Sequence, residues 1–164
     1  SSSPAPSPSG NASNAPTSNS TAPTADLAAN KALVKKMVDA VFNAHDIKAI
    51  DAYYSPAYVD HQTTAGQTAD LASFKTDTQS SFTAFPDLTY TVEDIVAEGN
   101  EVWAREQICG MQTGPLSTLA PTGKHVCIDA IDIVRIQNNL IVEHWGVADD
   151  LSLLEQLGVV PTGS

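Results

Sequence analysis

Two acidic residues, Asp149 and Asp150, stand side by side just before a short apolar run, Leu151 to Leu157. One carboxylate there can cap a helix while the other faces whatever that helix covers. A carboxylate at the mouth of an apolar cavity loses hydration, so its pKa rises toward neutrality; it can then take a proton from carbon and return it to oxygen. His61 follows Tyr58 at the end of a short extended piece. It can hydrogen-bond a ligand carbonyl, or fix the chain by bonding a backbone group. In the segment Glu143-His144-Trp145, a strand period of two puts Glu143 and Trp145 on one face and His144 on the other. Trp145, with its large apolar area, belongs inside or at a dimer face. Arg105 alternates with Trp103 and Gln107, and Arg135 with Ile131 and Ile133. An arginine on an otherwise apolar strand face is ordinarily paired with a carboxylate, here Glu143 or Asp129; a substrate oxyanion is the alternative partner.

Several kinds of chemistry have no residues to carry them. No Gly-rich phosphate cradle lies between a strand and a helix, and no serine sits in a nucleophile-elbow context. The four histidines, at 45, 61, 125 and 144, lack metal-ligand spacing. The chain carries 19 acidic and 8 basic residues, a formal charge of -11. The scattered cations form no patch for a phosphate backbone, which argues against nucleic acid as a partner. No stretch is long and apolar enough to span a bilayer.

These residues need elements to position them. Asn30 to His45 carries Leu33, Val34, Met37, Val38, Val41 and Phe42 at helical spacing. Asp46 can cap a second short helix with Ile47, Ile50 and Tyr54, ended by Pro56. Tyr58 to His61 is extended, and Thr63 to Thr68 is a polar loop. Asp70 to Phe85 reads as a third helix with Leu71, Phe74, Thr78 and Phe82 on one stripe. From Leu88 the period becomes two. Strands are expected around Tyr90 to Ile95, Val102 to Met111, Lys124 to Ile136 and Leu140 to Val147, with turns at Gly99-Asn100 and Asn138-Asn139. Gly158 stops the last helix. Helices first and an antiparallel meander after them imply an α+β domain. Long strands in a small domain imply a strongly curved sheet, and helices across its mouth leave a conical pocket.

Residues 1–25 contain no charged residue and no large apolar one. Such a tract cannot offset its conformational entropy by burial, so it is expected to be a disordered Ser/Pro/Asn/Thr-rich leader, with one folded domain over 26–164. A spacer of this composition suggests an exported protein, periplasmic, cell-surface or secreted; an artificial linker is the alternative. Asn11 and Asn19 match the glycosylation acceptor pattern, which such a tract also produces by chance. Cys109 and Cys127 flank the loop between two predicted strands. If those strands form a hairpin, the two cysteines fall opposite each other, within disulfide reach; two small buried thiols are the alternative.

The chain resembles the SnoaL-like family of the NTF2-like superfamily, which includes small polyketide ester cyclases. The resemblance rests on segments in order: Val41-Phe42-Asn43, Tyr58-Val59-Asp60-His61, Phe85-Pro86-Asp87-Leu88, Val92 to Asn100, Pro121-Thr122-Gly123-Lys124, Ile131-Asp132-Ile133-Val134-Arg135, Ile141 to Asp149 and Leu153 to Gly158. It implies a cone with an internal pocket, a homodimer, a small hydrophobic ligand and no metal or cofactor. It implies Asp149 as the acid/base of a cyclisation or isomerisation, four residues after Trp145; His61 is the second catalytic candidate, to polarise a carbonyl. Tyr58, Phe74, Trp103, Arg105 and Trp145 are the substrate-binding candidates. The alternative is an exported binding or dimeric module of the same fold without catalysis.

Overall fold

The computed structural model describes residues 26–62 and 69–161. The leader at 1–25, the loop at 63–68 and residues 162–164 lie outside the described residues. Helix α1, Leu27–Met37, begins a turn earlier than the apolar spacing suggests, because the Asp26 carboxylate accepts the Ala29 N–H at 3.0 Å and caps it. Its continuation, Val38–Asn43, widens into a π-helix. The Asn43 side chain is placed there to pair with strand backbone: it accepts from the Tyr90 N–H at 2.8 Å and donates to the Tyr90 carbonyl at 3.1 Å. One carboxamide thus does for an edge residue what a neighbouring strand would do. A 3-10 turn, Ile47–Ala49, leads into the short α2, Ile50–Tyr53.

Tyr54, expected within that helix, instead opens strand β1, Tyr54–Asp60. The strand passes through Pro56, which has no N–H to give; the pairing is irregular between Tyr54 and Val59, so no ladder bond is lost. Next come β2, Ala69–Asp70, and α3, Leu71–Ala84, capped by Asp70 through the Ser73 N–H at 2.8 Å. The meander is β3, Thr89–Glu98; β4, Glu101–Met111; β5, His125–Gln137; and β6, Leu140–Ala148. Helix α4, Asp150–Leu157, ends at Gly158 with φ 78°. The β5–β6 turn places Asn138 and Asn139 both at positive φ, the backbone a tight two-residue hairpin requires.

The six strands form one sheet in the order β2-β1-β6-β5-β4-β3. All neighbours are antiparallel except β1 and β6, which run parallel. The antiparallel meander expected from the sequence is present, and β1 extends it with a parallel pairing. That segment reaches β6 only after the chain has passed through α3 and four strands, and hydropathy carries no sign of such a pairing. Register shifts in β3 at Val92/Asp94 and in β5–β6 at Arg135/Ile136 bend the sheet. Helices α1 and α3 lie in its concavity, against Val102, Val134, Ile136 and Ile141.

The loop after β4 folds around Gln112, which is fully buried. Its amide donates to the Gly114 and Ala120 carbonyls, and its oxygen accepts from Thr122. At the loop's base Cys109 and Cys127 lie directly opposite in the β4–β5 ladder, 4.1 Å apart at Cα, and form a disulfide. Beyond that point β6 no longer covers β5. The Gln156 side chain of α4 pairs instead with both the N–H and the carbonyl of Cys127.

Candidate active site

Along the inner face of the sheet, four small residues alternate with two polar ones. Ala104 faces Asp132, which faces Gly146 on its other side; Glu106 faces Ala130, which faces Ala148. Small side chains at these positions leave a hollow that the helices do not fill. The resulting cavity has a volume of about 380 Å³, in the range of small-molecule sites. Apolar and aromatic groups form most of its wall, among them Val38, Phe42, Phe74, Phe82, Phe85 and Tyr90. The rings of Phe42 and Tyr90 stack at 4.5 Å, and Phe74 meets Phe42 edge-on at 6.5 Å.

One end of the cavity is polar. His144, on β6, sends Nδ1 to Asp60 and Nε2 to Asp132, each at 2.9 Å. Both ring nitrogens face carboxylate oxygens, so both carry protons and the ring is an imidazolium. Burial alone would push its pKa down, but the bonds to Asp132 and Asp60 outweigh burial and raise it to about 9. Burial also works to raise the Asp60 pKa, yet the His144 bond and charge hold it below the ordinary carboxylate value. Glu106 is 3% exposed and shows the opposite balance. Burial, then the neighbouring Asp132 carboxylate, push its pKa up to about 8. The cluster therefore sets a neutral carboxylic acid beside a carboxylate held by an imidazolium. Gly146 makes room for it: a Cβ there would collide with the Gln62 carboxamide and with the Asp132 carboxylate.

The residues singled out from the sequence divide sharply. Phe74 lines the cavity. Tyr58 is buried behind it, 5.3 Å from the Phe74 ring; its hydroxyl has no hydrogen bond of normal geometry among the described residues, though it feels the Asp60 charge. Asp149 is corrected by the geometry. Its carboxylate accepts the Ser152 N–H at 3.0 Å and caps α4; the side chain is exposed and does not line the cavity. Asp150 is the first residue of that helix. His61 is corrected too. Its ring lies on the outer face, stacked on Trp145 at 4.7 Å with Nε2 3.3 Å from Glu143. The Arg135 guanidinium covers the same indole at 5.0 Å and pairs with Glu101 and Glu143. Trp103 and Arg105 are exposed on that outer face, away from the cavity. Sequence reading missed Asp60, Glu106 and Asp132. The available signal was strand parity: Glu106 shares the inward phase of Val102 and Ala104, and Asp132 that of Ala130 and Val134.

Among the described residues no group of three or more His, Cys, Asp or Glu side chains is arranged to hold a metal ion.

The family profile of SnoaL-like polyketide cyclases matches residues 32–157. The chain belongs to this family. Among solved structures of similar fold is AclR, a candidate hydroxylase from Streptomyces galilaeus: 30% identity, TM-score 0.76, covering 84% of this chain and 86% of that one. TsrD from Streptomyces laurentii shares 26% identity over 81% of this chain and 97% of its own, with TM-score 0.73. IdmH, a candidate polyketide cyclase from Streptomyces antibioticus, shares 27% over 79% and 98%, with TM-score 0.70. No curated protein matches the chain in sequence. The SnoaL-like fold explains two of the sequence motifs directly. Val41-Phe42-Asn43 supplies the cavity wall and the clamp on Tyr90, and the last-strand motif supplies His144.

Proposed function

We propose that this SnoaL-like protein binds a small apolar carbonyl compound and moves a proton at the carbon beside the carbonyl, through its own side chains. The observation that carries the reading is the buried group Asp60–His144–Asp132–Glu106 at one end of an apolar cavity. The Asp132 carboxylate takes the proton from carbon. The electron pair moves onto the carbonyl oxygen, which the neutral Glu106 carboxyl meets with its O–H. The resulting enol attacks a second carbonyl to close a ring, its O–H proton going back to Glu106 while the new alkoxide takes the proton held by Asp132; in an isomerisation that proton returns instead to another carbon. His144, locked by two carboxylates, holds Asp132 in place. Ketosteroid isomerase, with its carboxylate base and protonated acid, is the general chemical precedent for such a pair. AclR and IdmH are described by different reaction classes, so the reaction rests on the site and not on the likeness.

The test is proton exchange. A panel of aryl 1,3-diketones in D2O, followed by NMR, should lose its central C–H signal faster with protein than without. Asp132→Asn should slow that exchange by about 100-fold or more while the fold is kept. Binding of the diketones without accelerated exchange would favour a non-catalytic ligand carrier.

The outer face favours assembly as a homodimer. Val96, Trp103, Ile133 and Trp145 lie side by side across four strands, with Val96 and Trp103 59% and 47% exposed. An apolar row of this kind is more stable against a second copy than against water; light scattering distinguishes dimer from monomer. Export from the cytoplasm is supported by the Cys109–Cys127 disulfide, which persists in an oxidising compartment.

A further inference from the structure

The charge of the cavity wall is one-sided. Asp60, Asp77, Glu106 and Asp132 line it, His144 is the sole basic residue there, and neither lysine nor arginine is among the described lining residues. The His144 charge is already matched by two carboxylates at 2.9 Å. Glu106, buried and facing the hollow, shares a hydrogen bond with another carboxyl, Asp132, and has no cation of its own. The interior is thus suited to a ligand that brings no anion. At the rim stands Asp77, exposed on α3. Its carboxylate has no ion-pair partner among the described residues. Phe74 lies one turn before it on the same helix face, so an aromatic ring and a carboxylate sit side by side at the entrance. That pairing is the ordinary recognition chemistry for an ammonium group, a negative charge with a ring quadrupole beside it. The formal charge of -11 adds a long-range field that concentrates cations at the surface.

We propose that the natural ligand carries a basic amine as well as its apolar body, with the ammonium held at the rim by Asp77 beside the Phe74 ring. This rests on the reading of the cavity as a ligand site. It leaves the inner polar end, with Asp132 and Glu106, for the carbonyl. Anionic ligands meet the lining carboxyls with no cation to answer them and are rejected.

Three fluorescent probes that differ in charge test it: 9-(aminomethyl)anthracene, 9-anthracenemethanol and 9-anthracenecarboxylate, titrated into the full chain at pH 7. The amine should bind on the order of tenfold tighter than the alcohol, and the carboxylate weaker than both. Asp77→Asn should bring the amine to the affinity of the alcohol and leave the alcohol unchanged. Asp77→Lys should reverse the order of amine and carboxylate. Added salt should narrow the gap, because Asp77 is exposed to screening. An amine no tighter than the alcohol, or a preference that survives Asp77→Asn, overturns the proposal while the cavity reading stands. If none of the three probes binds, the cavity reading falls and this inference with it.

Discussion

His61 and His144 stand on opposite faces of the same sheet, and both meet carboxylates. His144 is 14% exposed at its side chain, with a carboxylate 2.9 Å from each ring nitrogen. His61 is 32% exposed, touches one carboxylate at 3.3 Å, and spends its ring on Trp145. Residue type alone makes them equal candidates; burial separates them. On the inner face, water cannot screen the charges, so each proton is fixed by its neighbours and pKa values move far from their ordinary positions. On the outer face, Arg135, Glu101, Glu143 and His61 form a network that solvent weakens, and it supports the shape of the surface more than it supports chemistry.

The sharpest way to break this contrast is His144→Ala. It leaves Asp60 and Asp132 facing each other's charge in a buried site with no cation between them. Chemical denaturation should show a loss of about 3–5 kcal/mol, the cost typical of stripping one partner from a buried pair. A loss below about 1 kcal/mol would mean that water reaches the cluster freely and that the inner face resembles the outer one.

The pH dependence of stability reports the same cluster. The His144 pKa is raised from 6.5 to about 9, so its contribution is complete below about pH 6.5 and is lost as pH rises through about 9. The Glu106 pKa is raised from 4.5 to about 8, so the folded state holds that proton more tightly and loses stability as pH climbs across this interval. Asp60, whose pKa is lowered, acts the other way and loses its contribution only toward acid. Melting temperature should therefore fall between about pH 6 and pH 9. Glu106→Gln should flatten the lower part of that fall. A wild-type curve that is flat over this range would contradict the buried-proton account.

What the sequence made legible follows from the range of each interaction. Local signals carried the helices, the two tight turns and α4: Asp70 caps α3, Asn138 and Asn139 take the turn, and Gly158 closes the last helix. The cysteine pairing was legible because a hairpin fixes register over a short stretch. The partnership of Asp60 with His144 was not, since it depends on β1 joining β6 in parallel after most of the chain has intervened. Glu106 and Asp132 lie diagonally across β4 and β5, and their inward phase was visible. Inward phase for a carboxylate acquires meaning only once the small residues Ala104, Ala130 and Gly146 are known to surround it. Asp149 was read from its place after Trp145, where capping and cavity contact were both open; the ladder ending at Ala148 turns its carboxylate to the helix.

That correction has a smaller, separate test. Asp149→Ala removes the cap of α4 and should cost about 1 kcal/mol, with exchange of the diketone C–H unaffected. Helix α4 contributes Leu153 to the cavity wall, so a larger effect on ligand affinity than on stability would show that the cap positions that wall. Loss of exchange at full ligand occupancy would restore Asp149 to the chemistry.

The smallest effect is expected at His61, and it tests the outer face on its own. His61→Gln keeps a polar group near Glu143 and removes the ring stacked on Trp145. An exposed pair and one half-exposed stack together contribute no more than about 1 kcal/mol. Arg135 still covers the other part of the indole, so Trp145 remains in place. Denaturation should show a loss within that bound, and proton exchange should match the wild type, because no cavity-lining group has changed. If assembly uses this face, the dimer should weaken while the isolated site keeps its chemistry. A drop in exchange comparable to that of Asp132→Asn would break the contrast between the two histidines, since it would mean that the outer network reaches through β6 to the buried carboxylates.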